Sequence, residues 1–405
     1  MTPTGPLRAR AAEAAAEIAG RLADPERTAA TAPAWSPLSL DAGHPGLTLL
    51  FAELAHHEPA LRPAAHAHLA AAAAHLPGPA RPGLYHGVPA LAFAAHTARQ
   101  APQHYAGLLG RLDPVLDAAL HRALKEERTR LAQNRAGVPC SRYDLINGVT
   151  GLTRLLLARQ ATHQGALSEA LAYLVRLTRP LTLHGRPVPG WWSPAGPDGS
   201  PDPAFPRGHV NFGLAHGISG PLAVLSAALL AGASTPGLRR AVSGLAQELL
   251  TRRTTGGGWP ALIPLERYGT PPPPPGRSAW CYGTPGTACA LYRAGQALQR
   301  PDLQQTAVDA LATDLDHPRR VTDNPLCHGR AGLLLITHTL ATSSHDPRLT
   351  THRDTLATQL LTDHAHRPAD SPGLLTGTAG IALALHAFAT DKPPASGWDS
   401  ALLLR

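Results

Sequence analysis

A short glycine turn followed at once by a leucine- and alanine-rich stretch recurs seven times along this 405-residue chain. The instances are Gly43-His-Pro-Gly46, Gly87-Val-Pro-Ala90, Gly148-Val-Thr-Gly151, Gly217-Ile-Ser-Gly220, Gly283-Thr-Pro-Gly286, Gly329-Arg-Ala-Gly332 and Gly377-Thr-Ala-Gly380. Successive first glycines stand 44, 61, 69, 66, 46 and 48 residues apart, and only the second repeat replaces the later glycine, with Ala90. Repetition on this scale marks a supersecondary unit that buries its apolar face by stacking on its neighbours. Glycine permits a tight turn and a close backbone approach just before a helix. The stretch after each turn is apolar nearly all round, as a fully buried helix must be. Between the turns, segments such as Leu112–Ala132 and Thr235–Arg253 mix charge with apolar residues at helical spacing, the pattern of a half-solvated helix. One buried and one amphipathic helix per repeat, seven times over, predicts an all-α fold closed into a ring: an α/α toroid with inner and outer helix layers.

Composition agrees. Alanine is abundant and aromatics make up only 4% of the chain, which favours small-residue helix packing over a β-sandwich. No run of alternating β-branched residues argues for a sheet. The wider spacings in the middle leave room for longer loops, including Gly190–His209 and Gly256–Pro275. The formal charge of +8 is spread along the chain without a basic run or aromatic–basic interleaving, so no nucleic-acid partner is expected. Of the basic residues only Lys125 and Lys392 are lysines, an arginine bias that fits a GC-rich coding sequence. At most the charge suits an acidic peptide partner. Four scattered cysteines, Cys140, Cys281, Cys289 and Cys327, make no disulfide framework. The amino-terminal stretch lacks the apolar core of a secretory signal. The longest largely apolar run, Leu222–Ala231, is far short of the ~20 residues that span a bilayer. A cytoplasmic protein with available thiols is the expectation, folded as a single domain over residues 1–405.

In a ring of such hairpins every glycine turn lies at the same end, and the residues just before the turns meet at one mouth. That set is Asp41, His86, Asp144, Asn147, His216, Arg277, Cys281, Tyr282, Cys327, His328 and Thr376. Two members stand out. Cys281 and Cys327 each sit two residues before a turn, at equivalent points of consecutive repeats, and His328 follows the second. If those turns meet, the three side chains can hold one metal ion and leave its fourth position open, the arrangement of a catalytic zinc site. The two sulfurs must then stand no more than about 5 Å apart, since Zn–S bonds are ~2.3 Å. The competing reading makes both cysteines small buried hydrophobes, a common fate of free thiols. Cys289, among Ala and Leu inside its helix, fits that reading and is assigned to the core. Cys140 lies in no repeat position and is assigned a structural place.

Three segments together resemble one family. Asn211-Phe-Gly-Leu-Ala-His216-Gly-Ile-Ser-Gly-Pro, Trp280-Cys281-Tyr-Gly-Thr-Pro-Gly and Cys327-His328-Gly-Arg-Ala-Gly are similar to the LanC family, the lanthipeptide (lantibiotic) synthetase cyclases, and the repeats carry the likeness from about Pro37 to Ala389. The resemblance implies a seven-hairpin α toroid with one Zn2+ per chain. It also implies a reaction: cysteine thiols of a dehydrated precursor peptide add to dehydroalanine or dehydrobutyrine and close (methyl)lanthionine rings. By motif, the metal ligands would be Cys281, Cys327 and His328, the catalytic histidine His216, and the partnering aspartate Asp144. Arg277 and Tyr282 match the family's arginine before, and tyrosine after, the first zinc cysteine.

The chemistry fits those roles. A free thiol with pKa ~8.5 is only a few per cent ionised at neutral pH, and a cation beside it removes that barrier. Addition places negative charge on the neighbouring carbonyl and requires a proton at the α-carbon. Imidazole exchanges protons near neutrality, so His216 is the best donor, with Asp144 to orient it or to help take the thiol proton. Arg277 and Tyr282 suit stabilisation of the enolate. Each residue has a plainer alternative. His216 and Asp144 could cap or pack beside helix starts, Arg277 could be a solvated loop charge after Pro271–Pro275, and Tyr282 could pack against the wall. His44, His86, His209 and His317 are left as structural. Without a kinase-like or lyase-like segment before the repeats, a separate dehydratase is the expected partner, in a membrane-associated synthetase complex. The other readings are a toroid that adds a small-molecule thiol such as glutathione, a prenyltransferase-like thiol-alkylating enzyme, and a non-enzymatic leader-binding scaffold.

Overall fold

The computed structural model describes residues 4–76, 83–133, 135–183, 185–366 and 371–405. Sixteen helices run along these described residues. In chain order they are α1 (Thr4–Leu22), α2 (Pro25–Thr31), α3 (His44–Leu54), α4 (Arg62–Ala73), α5 (Gly87–Thr97), α6 (Ala106–Ala132), α7 (Cys140–Tyr143) and α8 (Val149–Ala158). Next come α9 (Gln164–Leu177), α10 (Ser219–Leu230), α11 (Leu238–Thr251), α12 (Thr284–Leu298), α13 (Pro301–Asp316), α14 (Arg330–Ser344), α15 (Pro347–His366) and α16 (Thr378–Thr390). Each of the seven glycine turns opens one of α3, α5, α8, α10, α12, α14 and α16. These are the buried helices: every residue of α3 is buried, as is α10 from Ser219 to Ala228. The helices between them are amphipathic. On α11, Leu238, Ala241, Val242, Leu245, Ala246 and Leu249 are buried at three- and four-residue spacing, and the rest faces outward.

Steric contact explains why the later glycine of the turn recurs. A Cβ on Gly286 would lie 2.1 Å from the Trp280 carbonyl oxygen, six residues earlier. The same six-residue approach recurs at Gly46, Gly151, Gly220, Gly332 and Gly380, with distances from 1.9 to 2.8 Å. The turn thus folds back on its own backbone more tightly than any side chain allows. The second repeat is built differently. Gly87 has φ +68° with open space where its Cβ would be, and Ala90 is accommodated at the later position.

The chain forms two compact units. One contains Met1–Ala80, Tyr85–Val115 and Arg320–Leu402. Within it α3 packs on α4 and α5, α14 on α15 and α16, and α16 on α3 and α1. The seventh buried helix, α16, is followed by a short 3-10 turn, Trp398–Leu402, and takes its amphipathic partner from α1, far from it in sequence. An Arg8–Asp391 ion pair of 2.6 Å fastens the two beside the end of α16. The second unit contains Arg81–Leu84, Leu116–Arg319 and Leu403–Arg405. There α8 pairs with α9, α10 with α11 and α12 with α13, while α10 also touches α8 and α12.

Among the described residues, the strands lie in the long middle loops. Strand β1 (Leu181–Leu183) pairs antiparallel with β2 (Arg186–Val188), and β3 (His209–Asn211) with β4 (Leu262–Pro264), Val210 opposite Ile263. No alternating pattern announces three-residue strands. They form because loop backbone groups must find partners, which the two antiparallel pairings supply.

Candidate metal centre and catalytic pocket

The turns are sewn to one another by backbone hydrogen bonds. In the second unit the Leu84 amide donates to the Leu145 carbonyl, Leu145 to Ala215, and Ala215 to Cys281 at 3.2 Å. In the first, Cys327 donates to Leu375 at 2.8 Å, Leu374 to Asp41 and Leu40 to Tyr85. Every link lies two or three residues before the first glycine of its turn. Asp144, His216 and Tyr282 are chain neighbours of linked residues, so within the second unit the relay brings them together although they are far apart in sequence.

What it brings together is a polar group in three tiers. Asp144, almost wholly buried, holds His216 through a 2.7 Å contact from its Oδ2 to Nδ1 of the ring, and its Oδ1 accepts the Asn147 amide at 2.6 Å. Asp144 therefore contacts both its own turn and the imidazole. With Nδ1 donating to the carboxylate, Nε2 is the nitrogen left to exchange a proton. The His216 side chain remains one-third exposed, at 34%. The Tyr282 ring stacks on it with centroids 6.1 Å apart. Burial pushes the Tyr282 phenol up to about 12, against an opposing hydrogen bond from Asn211 and with help from nearby Cys140, Cys281 and Asp144. The group is a neutral hydrogen-bond donor at any ordinary pH.

Behind these stand residues to which the sequence assigned no catalytic place. Asn211 accepts the Gly213 amide on Oδ1 at 2.9 Å, which turns its Nδ2 toward the Tyr282 hydroxyl at 3.3 Å. The phenol oxygen accepts there, so its own hydrogen stays available. Cys140 lies below, 3.4 Å from the Tyr143 hydroxyl and 3.7 Å from His209 Nε2, with its thiol pushed up by burial. Gly213 has a role of its own: a Cβ there would stand 2.6 Å from the Tyr282 ring. Asn211 opens the His216 motif, a signal that could have been read; nothing in the sequence ties Cys140 to that motif. The Arg277 carbonyl sits 1.7 Å from where a Gly283 Cβ would be, and Gly283 adopts φ +97°, so this turn needs glycine twice over. The Arg277 guanidinium makes no hydrogen bond or ion pair to the described residues, and is available to a ligand.

Other members of the predicted mouth serve the turns themselves. Thr376 donates to Asp41 at 3.1 Å in the first unit, and His86 precedes α5 in an isolated bridge with Ser39. Cys289 is buried within α12. No disulfide joins the four cysteines.

Cys281, in the second unit, and Cys327 and His328, in the first, are residues that could hold a metal ion. Two thiols and an imidazole are a donor set suited to zinc. Asp323 Oδ2 stands 3.4 Å from His328 Nε2. Its position five residues before His328 carried no sequence signal.

Over residues 34–403 the chain matches the family model described as lanthionine synthetase C-like protein. The chain belongs to the lanthionine synthetase C-like family. The resemblance read from three short motifs therefore extends across nearly the whole sequence. Among solved structures, nisin cyclase superposes with a TM-score of 0.80, covering 96% of this chain and 96% of its own at 20% identity. That likeness is one of fold, the all-α toroid expected from the seven repeats. A search of curated proteins gives no match. Membership of a lanthionine-forming family makes this chain an enzyme of thioether ring closure, acting on a precursor peptide. No helix among the described residues is long and apolar enough to cross a membrane.

Proposed function

We propose that this protein is a zinc-dependent lanthipeptide cyclase, closing thioether rings in a dehydrated precursor peptide made of leader and core. The observation that carries the reading is the family match over residues 34–403, with the donor residues Cys281, Cys327 and His328 all present in it. Those three residues would hold one Zn2+. The ion, when bound, supplies positive charge that lowers the pKa of an incoming thiol at its remaining position.

The protein's own residues handle the rest of the addition. A substrate sulfur forms its bond to the β-carbon of dehydroalanine or dehydrobutyrine, and the π electrons move to the neighbouring carbonyl oxygen. Tyr282, neutral and with its hydrogen unspent, donates to that oxygen, and the guanidinium of Arg277 adds positive charge. His216, held at Nδ1 by Asp144, gives the α-carbon its proton from Nε2 and regains one from the thiol proton released at the start. Atoms balance: the product has the mass of the substrate. Burial of the Asp144 carboxylate under the ring supports an orienting role for it, with proton transfer assigned to His216. We place this activity in one catalytic domain, as the match over residues 34–403 supports, in the cytoplasm and beside a separate dehydratase in a synthetase complex.

The test is a dehydrated, cysteine-containing peptide incubated with the zinc-loaded protein, followed by thiol alkylation and mass spectrometry. Closed rings escape the label. The expected result is loss of alkylatable thiols with intact protein, and full retention with Cys327→Ala, which should also lose its metal. A wild-type protein that leaves every peptide thiol alkylatable, yet adds glutathione to the same peptide, would overturn the ring-closing assignment.

A further inference from the structure

A second group of metal-ligating side chains lies in the first unit, and nothing in the reaction above uses it. Glu53, His57 and His386 place their ligand atoms within 4.8 Å of one another. Glu53 is on the last turn of α3, His57 follows it by four residues, and His386 comes from α16, which packs on α3. Glu53 is buried, and its two oxygens accept the Ala395 and Ser396 amides at 2.9 and 2.8 Å. Those bonds fix the carboxylate and leave it spare lone pairs, since a carboxylate has about four acceptor sites. The two imidazoles meet edge to face with centroids 5.1 Å apart. Nε2 of His386 is sealed from solvent and makes no hydrogen bond to the described residues. A buried nitrogen in that condition carries a desolvation cost that coordination to a cation would remove.

We propose that Glu53, His57 and His386 form a second metal site, taking a divalent transition-metal ion of the zinc class and tying the first repeat, the last repeat and the carboxy-terminal segment together. Two imidazoles and one carboxylate select zinc, cobalt, nickel or copper over magnesium or calcium. Ligands ~2.0–2.1 Å from a tetrahedral ion stand ~3.4 Å from each other, so closure asks the group to contract by about 1 Å. His57 is exposed and can supply that movement by rotation. The site joins α3 and α16, which open the first and seventh repeats and are distant in sequence. Its role is therefore that of a clasp, which stabilises the folded state in proportion to the ion's binding.

The experiment titrates Co2+, then Zn2+, into full-length protein and into Cys281→Ala/Cys327→Ala, where the thiolate-bearing group is gone. The double variant is expected to bind one equivalent, with visible cobalt d–d bands, no sulfur-to-cobalt charge-transfer band, and a higher melting temperature once zinc is added. Adding His57→Ala should weaken that equivalent by at least about tenfold and abolish the thermal gain. The exposed position of His57 makes this a change the fold tolerates, and His386→Gln serves as a second variant. In an otherwise wild-type chain, His57→Ala should lose d–d intensity and keep the charge-transfer band. A double variant that stays folded and binds no metal, or a His57→Ala protein that keeps both equivalents, overturns the proposal. If instead the wild type takes up one equivalent without a charge-transfer band and loses it with His57→Ala, this site stands and the cysteine-bearing assignment falls.

Discussion

The contact between Asp144 and His216 concentrates the chemistry at the scale of single side chains. Replacing His216 with Ala should leave metal content unchanged and slow ring closure by about a hundred- to ten-thousand-fold, the usual worth of a positioned proton donor. Metal analysis and thiol alkylation on the same preparation separate the two effects. Normal closure by the variant would remove the proton-transfer role. Tyr282→Phe keeps the ring stacked on His216 and removes only the donor, so a loss of roughly a hundred- to a thousandfold in kcat is expected with little change in stability. Gly213→Ala tests the same residue by another route. Its methyl would stand 2.6 Å from the Tyr282 ring and 2.8 Å from the Cys281 carbonyl oxygen, so the variant should lose activity together with some stability.

Among the repeated elements, the glycine turn predicts a contrast. Gly286→Ala forces a Cβ against the Trp280 carbonyl, a backbone atom that cannot step aside. Destabilisation of roughly 3 kcal/mol or more is expected. Ala90→Gly, in the one turn built to accept a side chain, should cost only about 1 kcal/mol, the helix penalty of glycine. Urea unfolding of the two variants measures the difference, and equal losses would show that the six-residue approach is not what fixes the turn. The relay of amides between turns explains why such a change should also reach the chemistry. Gly286 opens the helix that follows Cys281 and Tyr282, and Cys281 accepts the Ala215 amide beside His216.

For the molecule as a whole, titration of buried groups sets the pH range of stability. All seven tyrosines are pushed up, chiefly by burial. Unfolded tyrosines release protons near pH 10 while the folded ones still hold theirs, so the unfolded state binds fewer protons and stability falls as pH rises beyond 10. At the acid end, burial lowers His44 and His338 to about 4 and lowers His68 and His209 as well. The unfolded chain takes up those protons first, so stability falls as pH drops below 6.5 toward 4. Each fully linked proton contributes about 1.4 kcal/mol per pH unit. Denaturation midpoints measured across pH should give a plateau from about 7 to 9.5 with losses on both sides. A midpoint that keeps rising below pH 6 would contradict the buried-histidine account.

Seven glycine turns with buried helices behind them are a local pattern, and local sterics and helical periodicity determined the all-α class, the number of repeats and the candidate ligands Cys281, Cys327 and His328 without reference to any contact. The motif around His216 likewise named its histidine and, with the Tyr143-Asp144 segment, its aspartate. What the sequence could not contain is the pairing of residues far apart along it. The partnership of α1 with α16, the short strands in the middle loops, the placing of Tyr282 by Asn211 and Gly213, and the approach of His386 to Glu53 and His57 all rest on packing between distant segments. Propensity and spacing act over a few turns of chain, whereas these contacts are chosen by which apolar faces and unpaired polar atoms remain to be satisfied once the helices have formed.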